Sequence, residues 1–134
     1  MKSFTDIEQS KKLAEILPLE SADMWYTERY AGHVEGWQYV IEYPPNYYLS
    51  LTRPSENNYS LDTIKDIPCW SLAALLELIP KNYLIEANKK TTRTLYRITV
   101  ISGEVTHYHQ DLVDAAVELL LKLYNKNIHE HRTD

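Results

Sequence analysis

The segment from Asp111 to Asn125 constrains this chain more than any other stretch. Asp111, Asp114, Glu118, Lys122 and Asn125 recur every three or four residues, which on a helix draws one polar stripe along an otherwise apolar cylinder. Its apolar arc holds Leu112, Val113, Ala116, Leu119, Leu120, Leu121, Leu123 and Tyr124. That arc is too wide for one sheet face, so the helix must also touch the helix expected after Ser71, or another subunit. Acids open it, Lys122 and Lys126 close it, and Glu118 with Lys122 makes a favourable i,i+4 pair.

The elements that could pack on this helix are marked by their own signals. Thr5-Asp6-Ile7-Glu8 has the spacing of a capping box and predicts a helix running to about Leu17, where Pro18 stops it. Ile7, Ala14 and Leu17 give it a narrow apolar stripe, which puts it on the outside of the core. From Met24 to Thr52 the residues turn aromatic and β-branched, broken by Gly and Pro, which predicts hairpins. Trp37, Tyr39, Ile41 and Tyr43 fall on one face of a period-two strand, and Pro44-Pro45-Asn46 forces a turn before Tyr47 to Thr52. Residues 53 to 66 read as a surface loop.

Ile67-Pro68-Cys69-Trp70 leads into a helix from Ser71 to Ile79 that is apolar almost all round, hence buried, with Ser71 as cap and Pro80 as stop. Tyr83 to Ala87, Leu95 to Ile101 and Glu104 to His109 then predict a three-stranded meander, in which Tyr96, Ile98 and Val100 share one face. The expected fold is α+β: an antiparallel sheet in two hairpin or meander regions, a buried central helix, and a C-terminal amphipathic helix packed on the sheet. One domain spans residues 1–134, with 1–4 and 128–134 frayed.

Composition narrows the function by exclusion. Cys69 is the single cysteine, so neither a disulfide framework nor a cysteine-rich zinc site is available. No apolar run is long enough to span a bilayer and the N-terminus is too polar for a signal-peptide core, so a soluble cytoplasmic protein is expected. The net charge of −5 argues against broad nucleic-acid binding. Residues 1–70 carry the excess, with six Lys or Arg against eleven Asp or Glu, while the remainder balances. With three glycines and no P-loop, GxGxxG, GxSxG, HExxH or CxxC, the sequence lacks the signatures of the common nucleotide enzymes, and no cofactor is expected.

Three groups of residues carry chemistry worth following. Tyrosine is abundant, eleven beside three Trp and one Phe, and its dense stretch gives Trp25, Tyr30, Trp37, Tyr39, Tyr43, Tyr47 and Tyr48 as a candidate partner-binding set. Tyr and Trp bring large contact area at small entropic cost, although covering a sheet and pairing across strands uses the same residues. His107 and His109 would share one strand face, with Asp111 as a third metal ligand or, alternatively, the N-cap of the last helix. The run His107-Tyr108-His109-Gln110-Asp111 resembles the HxHxDH motif of metallo-β-lactamase-like hydrolases, but Leu112 stands where that family needs histidine and the chain is too short for its fold. Lys89, Lys90, Arg93, Tyr96 and Arg97 cluster on the expected hairpin as a nucleic-acid alternative, weighed against a charged edge strand. Cys69 as nucleophile and Glu77 as general acid or base are outweighed by the readings of a core thiol and an exposed helix edge.

The segments LPLESADMWY, IPCWSLAALLELIP and DLVDAAVELLLKL resemble a group of small uncharacterised proteins that recur in gut anaerobic bacteria and their phages or mobile elements. The resemblance runs from Leu17 to Leu123 and implies a shared fold without an activity. The leading expectation is therefore a non-enzymatic protein-binding accessory module acting on a host protein, with a homodimer through helix faces as a further possibility. The alternatives are a small metal-dependent hydrolase and a weak single-stranded nucleic-acid binder.

Overall fold

In the computed structural model, residues 2–29, 32–41, 46–51, 66–90 and 92–132 are described, with the backbone alone at 28–29, 32–35, 38–41, 46–48, 90 and 125–132. Helix α1 (Ile7–Ala14) opens on a capping box, but one residue later than the sequence spacing suggested. Asp6 is the cap: its Oδ1 accepts from the Gln9 backbone N–H at 2.8 Å, and Gln9 Oε1 accepts from the Asp6 N–H at 3.1 Å. Thr5 is drawn inside instead, fully buried, where its hydroxyl meets Ser10 Oγ at 2.8 Å. The helix ends at Ala14 rather than Leu17, yet Leu13 and Leu17 are both buried, so it joins the core that it was expected to skirt.

A three-stranded antiparallel sheet follows in the order β4-β1-β5, from β1 (Met24–Arg29), β4 (Asn46–Ser50) and β5 (Asp66–Cys69). Ile67 to Cys69, expected from sequence as the lead-in to a helix, lies instead in the edge strand of this sheet. An edge is where Pro68 is tolerated, because its missing N–H faces away from β1. Between β1 and β4 in the chain lies the hairpin of β2 (Gly32–Glu35) and β3 (Gln38–Ile41). The expected surface loop at 53–66 lies, save for Asp66, outside the described residues.

Helix α2 (Leu72–Leu78) is capped by Ser71 as the sequence indicated: Ser71 Oγ accepts from the Ala74 N–H at 3.2 Å. Two Asp23 oxygens hold the Ser71 backbone N–H and hydroxyl in place. Within α2 only Leu75 is fully buried, while Ala73 and Glu77 are exposed, so the helix lies half out of the core.

The last sheet is a long hairpin, β6 (Tyr83–Lys90) with β7 (Arg93–Val100). The third strand of the expected meander is reduced to two isolated bridges, Thr99 with Val105 and Tyr96 with His109. Between them the Thr106 side chain enters the ladder: its hydroxyl accepts from the Ile98 N–H at 2.9 Å, where a strand would offer a carbonyl. Helix α3 (Leu112–Arg132) covers the sheet. Its arc is spent within the chain, on β7, α2 and α1, with Val113, Ala115, Ala116, Leu119 and Leu120 fully buried. A second subunit is not needed to cover it.

Lys2, Ser3 and Thr5 are tied to the rest of the chain. Ser3 accepts a hydrogen bond from the Leu72 N–H, Thr5 N–H donates to the Trp70 carbonyl at 2.9 Å, and Lys2 N–H donates to Asp111 Oδ1 at 2.8 Å. Lys2 Nζ also bridges Asp6 and Asp114, joining α1 to α3. At the other end α3 continues to Arg132, past the expected start of a frayed tail at Ile128.

Candidate functional site

The aromatic region divides by position. Trp25 is half-buried on β1, opposite Ser50 and Pro68. Tyr39 stands on β3 opposite Val34, and Tyr47 and Tyr48 stand on β4 opposite Glu28 and Thr27. Tyr30 and Tyr43 lie outside the described residues. Trp37 is not the first residue of a strand face, as its spacing suggested, because β3 begins at Gln38. Gly36 and Trp37 form a two-residue turn closed by the Glu35–Gln38 pair, with Gly36 at φ +64°. A glycine-first turn of this kind matches the twist of antiparallel strands, and it leaves the following side chain pointing outward. Trp37 is fully exposed as a result.

Glu118 on α3 gathers the second group. His107 Nδ1 lies 3.1 Å and His109 Nε2 2.8 Å from the same oxygen, Glu118 Oε1. The His107 backbone N–H donates to both carboxylate oxygens, and Lys122 Nζ is 2.8 Å from Oε2. A carboxylate only accepts, so His107 carries its ring proton on Nδ1 and His109 on Nε2. Partial burial works against the charged carboxylate, but the bonds from Lys122, His109 and His107 outweigh it and hold the Glu118 pKa down at about 2. The i,i+4 pair with Lys122 was legible in sequence, and the histidines were singled out there; their convergence on Glu118 was not, because it depends on how the 104–109 segment crosses α3.

Asp111 does not join the two imidazoles. Its carbonyl accepts from the Ala115 N–H, the position of a helix cap, and its carboxylate is turned to Lys2. Among the described residues no group of three or more His, Cys, Asp or Glu is placed to hold a metal ion. The histidines with Glu118 and Lys122 instead clamp the 104–109 segment to α3, and Lys122 Nζ donates to the Val105 carbonyl as well.

The basic cluster is likewise divided. Arg97 is bound to Glu86 at 2.8 Å and lies over the Tyr108 ring at 4.7 Å. Lys89 and Arg93 are exposed, and the Lys90 side chain is outside the description. Arg93 and Tyr96 line a shallow polar groove of about 350 Å³ with Thr94, Gln110 and Asp111, where an acid sits beside the one arginine that a phosphate would need.

Cys69 is fully buried. Loss of solvent pushes its thiol pKa up, partly offset by hydrogen bonding from Thr5, so the reactive thiolate is disfavoured. Its neighbour Tyr26 donates to the Thr5 carbonyl at 2.7 Å, and burial together with the nearby Cys69 raises the phenol to about 12. The Cys69 thiol is therefore expected to react with an aromatic disulfide reagent at least about 100-fold more slowly in the native protein than in denaturant; comparable rates would restore it as a candidate nucleophile. Glu77 is exposed beside Glu20 and Asp23 on a shallow depression of about 380 Å³.

No family model, curated protein or solved structure matches the chain. Among the described residues, no helix is long and apolar enough to cross a membrane.

Proposed function

We propose that this protein is a non-enzymatic binding module that engages a protein partner through the tip of the β2–β3 hairpin. The observation that carries the reading is Trp37, a fully exposed indole on a two-residue turn. Leaving so large an apolar side chain in water forgoes about 1.5–3 kcal/mol of burial, and a partner pocket recovers it. Tryptophan is also the residue type most enriched among those that dominate binding energy. The turn geometry limits the freedom that the backbone loses on binding, and the acidic excess of residues 1–70 favours a partner with a basic rim.

Trp37→Ala is expected to leave thermal stability unchanged within about 0.5 kcal/mol, because the side chain packs on nothing. Recovery of the partner from host lysate on the immobilised full chain is expected to fall at least about 10-fold. Equal recovery of every specifically retained protein by the wild type and the variant would end this reading. So would a large loss of stability, which would make Trp37 a packing residue.

A further inference from the structure

We propose that β6 is the dimerisation edge of this protein, pairing antiparallel with β6 of a second copy about a two-fold axis at Ile85. The backbone of β7 fixes which groups are free. Tyr96, Ile98 and Val100 of β7 direct their N–H groups to the 104–109 segment, so Arg97 and Thr99 face β6. Their partners Glu86 and Leu84 thus exchange the ladder bonds, and the N–H and C=O of Tyr83, Ile85, Ala87 and Lys89 point to the other side. Among the described residues no strand lies on that side. The flanking side chains are apolar and in water: Leu84 is 66% and Ile85 42% exposed. The cross-strand neighbour of Ile85, Ile98, is fully buried under α3, so the shelter of α3 stops at β7.

Register and charge select a second copy as the occupant, and one alignment of it. Outward groups must meet outward groups, so the two-fold axis falls on a residue and not between two; an axis at Asn88 would pair only Ala87 with Lys89, which leaves Leu84, Ile85, Glu86 or Ala87. An axis at Glu86 would set two carboxylates directly opposite each other, and an axis at Ala87 would set Ile85 against Lys89. An axis at Leu84 would run Glu86 and Ala87 past the start of the partner strand at Tyr83. With the axis at Ile85, Ile85 meets itself and Tyr83 meets Ala87; within the paired run no like charges are opposed, and Lys89 comes opposite Lys81 only beyond its ends, where β6 has not yet begun. The six outward groups from Tyr83 to Ala87 on each copy are then all paired, and the two Ile85 side chains cover each other. Leu84 comes to lie opposite Glu86 of the second copy, whose carboxylate is already held by Arg97 and Thr99 of its own sheet. Lys89 falls outside the paired run, where an edge lysine limits further strand addition.

Light scattering on the full chain over a micromolar-to-millimolar series tests this. The expected mass approaches twice 15.7 kDa as concentration rises. Ile85→Lys, which opposes two ammonium groups at the axis, is expected to remain at the single-chain mass with an unchanged circular dichroism spectrum. Leu84→Lys is expected to keep the dimer, because it faces Glu86 across the interface. A wild type that stays monomeric throughout overturns the proposal, including the case where it captures a foreign extended peptide on β6. A dimer that survives Ile85→Lys also overturns it, by placing the contact elsewhere, and loss of the dimer in Leu84→Lys refutes the axis at Ile85. None of these outcomes bears on Trp37.

Discussion

Replacing Trp70 by alanine is expected to lower stability by about 3–5 kcal/mol, against a total of about 5–15 kcal/mol for a domain of this kind. Trp70 is the largest fully buried side chain, and it sits where three separate segments of the chain meet. Its indole N–H donates to Ser21 Oγ at 2.9 Å, in the 3₁₀ turn at Leu19–Ser21. Its backbone N–H donates to Thr5 Oγ1 at 3.2 Å, and its carbonyl accepts from the Thr5 N–H. The residue after it caps α2. Truncation leaves a cavity that these fixed backbones cannot close, so the transfer and cavity costs add. With a urea slope of about 1–3 kcal/mol per molar, the unfolding midpoint should fall by roughly 2 M. Trp70→Phe keeps most of the volume and loses the bond to Ser21, and about 1–2 kcal/mol is expected. An alanine variant within 1 kcal/mol of wild type would place Trp70 outside the core.

The second large effect is expected at Glu118 and depends on pH. Its carboxyl titrates at about 2 in the folded protein against an ordinary value of 4.5. A depressed folded-state pKa means that the unfolded chain binds the proton first as pH falls. The resulting stabilisation is therefore complete above about pH 4.5, shrinks on acidification, and is gone below about pH 2. Its size is about 3 kcal/mol at most, because each pKa step of one is worth about 1.4 kcal/mol. Glu118→Gln keeps the shape but not the charge that Lys122, His107 and His109 address. The variant is expected to be about 2–3 kcal/mol less stable near pH 7 and to lose less of its remaining stability between pH 4.5 and 2. Urea midpoints of both proteins across that range measure the difference. Parallel acid limbs would show that the clamp of the 104–109 segment on α3 does not depend on this charge.

Some of the candidate chemistry was visible in the order of residues and some was not. Two-residue spacing in extended backbone gives His107 and His109 a common direction, and both rings reach Glu118 Oε1. Asp111 looked like their third member because it is near in sequence. The group that meets them is Glu118, which lies two helical turns further on and reaches them only because α3 folds back beside the segment. Arg97 looked like part of a basic patch, but Glu86, its partner across the hairpin, neutralises it. Trp37 read as a strand residue by alternation, and one glycine in a positive-φ turn moved it to the tip. Alternation alone gives no warning of such a shift.

What the amino-acid order determined by itself is local and periodic. The cap at Ser71, the stop at Pro80, the β6–β7 hairpin and the polar stripe of α3 each follow from backbone sterics and from spacing within a dozen residues. The tertiary structure decided what depends on distant partners: that Thr5 is swallowed and Asp6 takes the cap, that Ile67 to Cys69 pairs with β1, and that Thr106 breaks the third strand. It also decided that the edge of β6 lies open beyond α3. Hydrogen-bond and packing partners brought together from far along the chain are set by the closing of the whole core, and no local pattern encodes that energy.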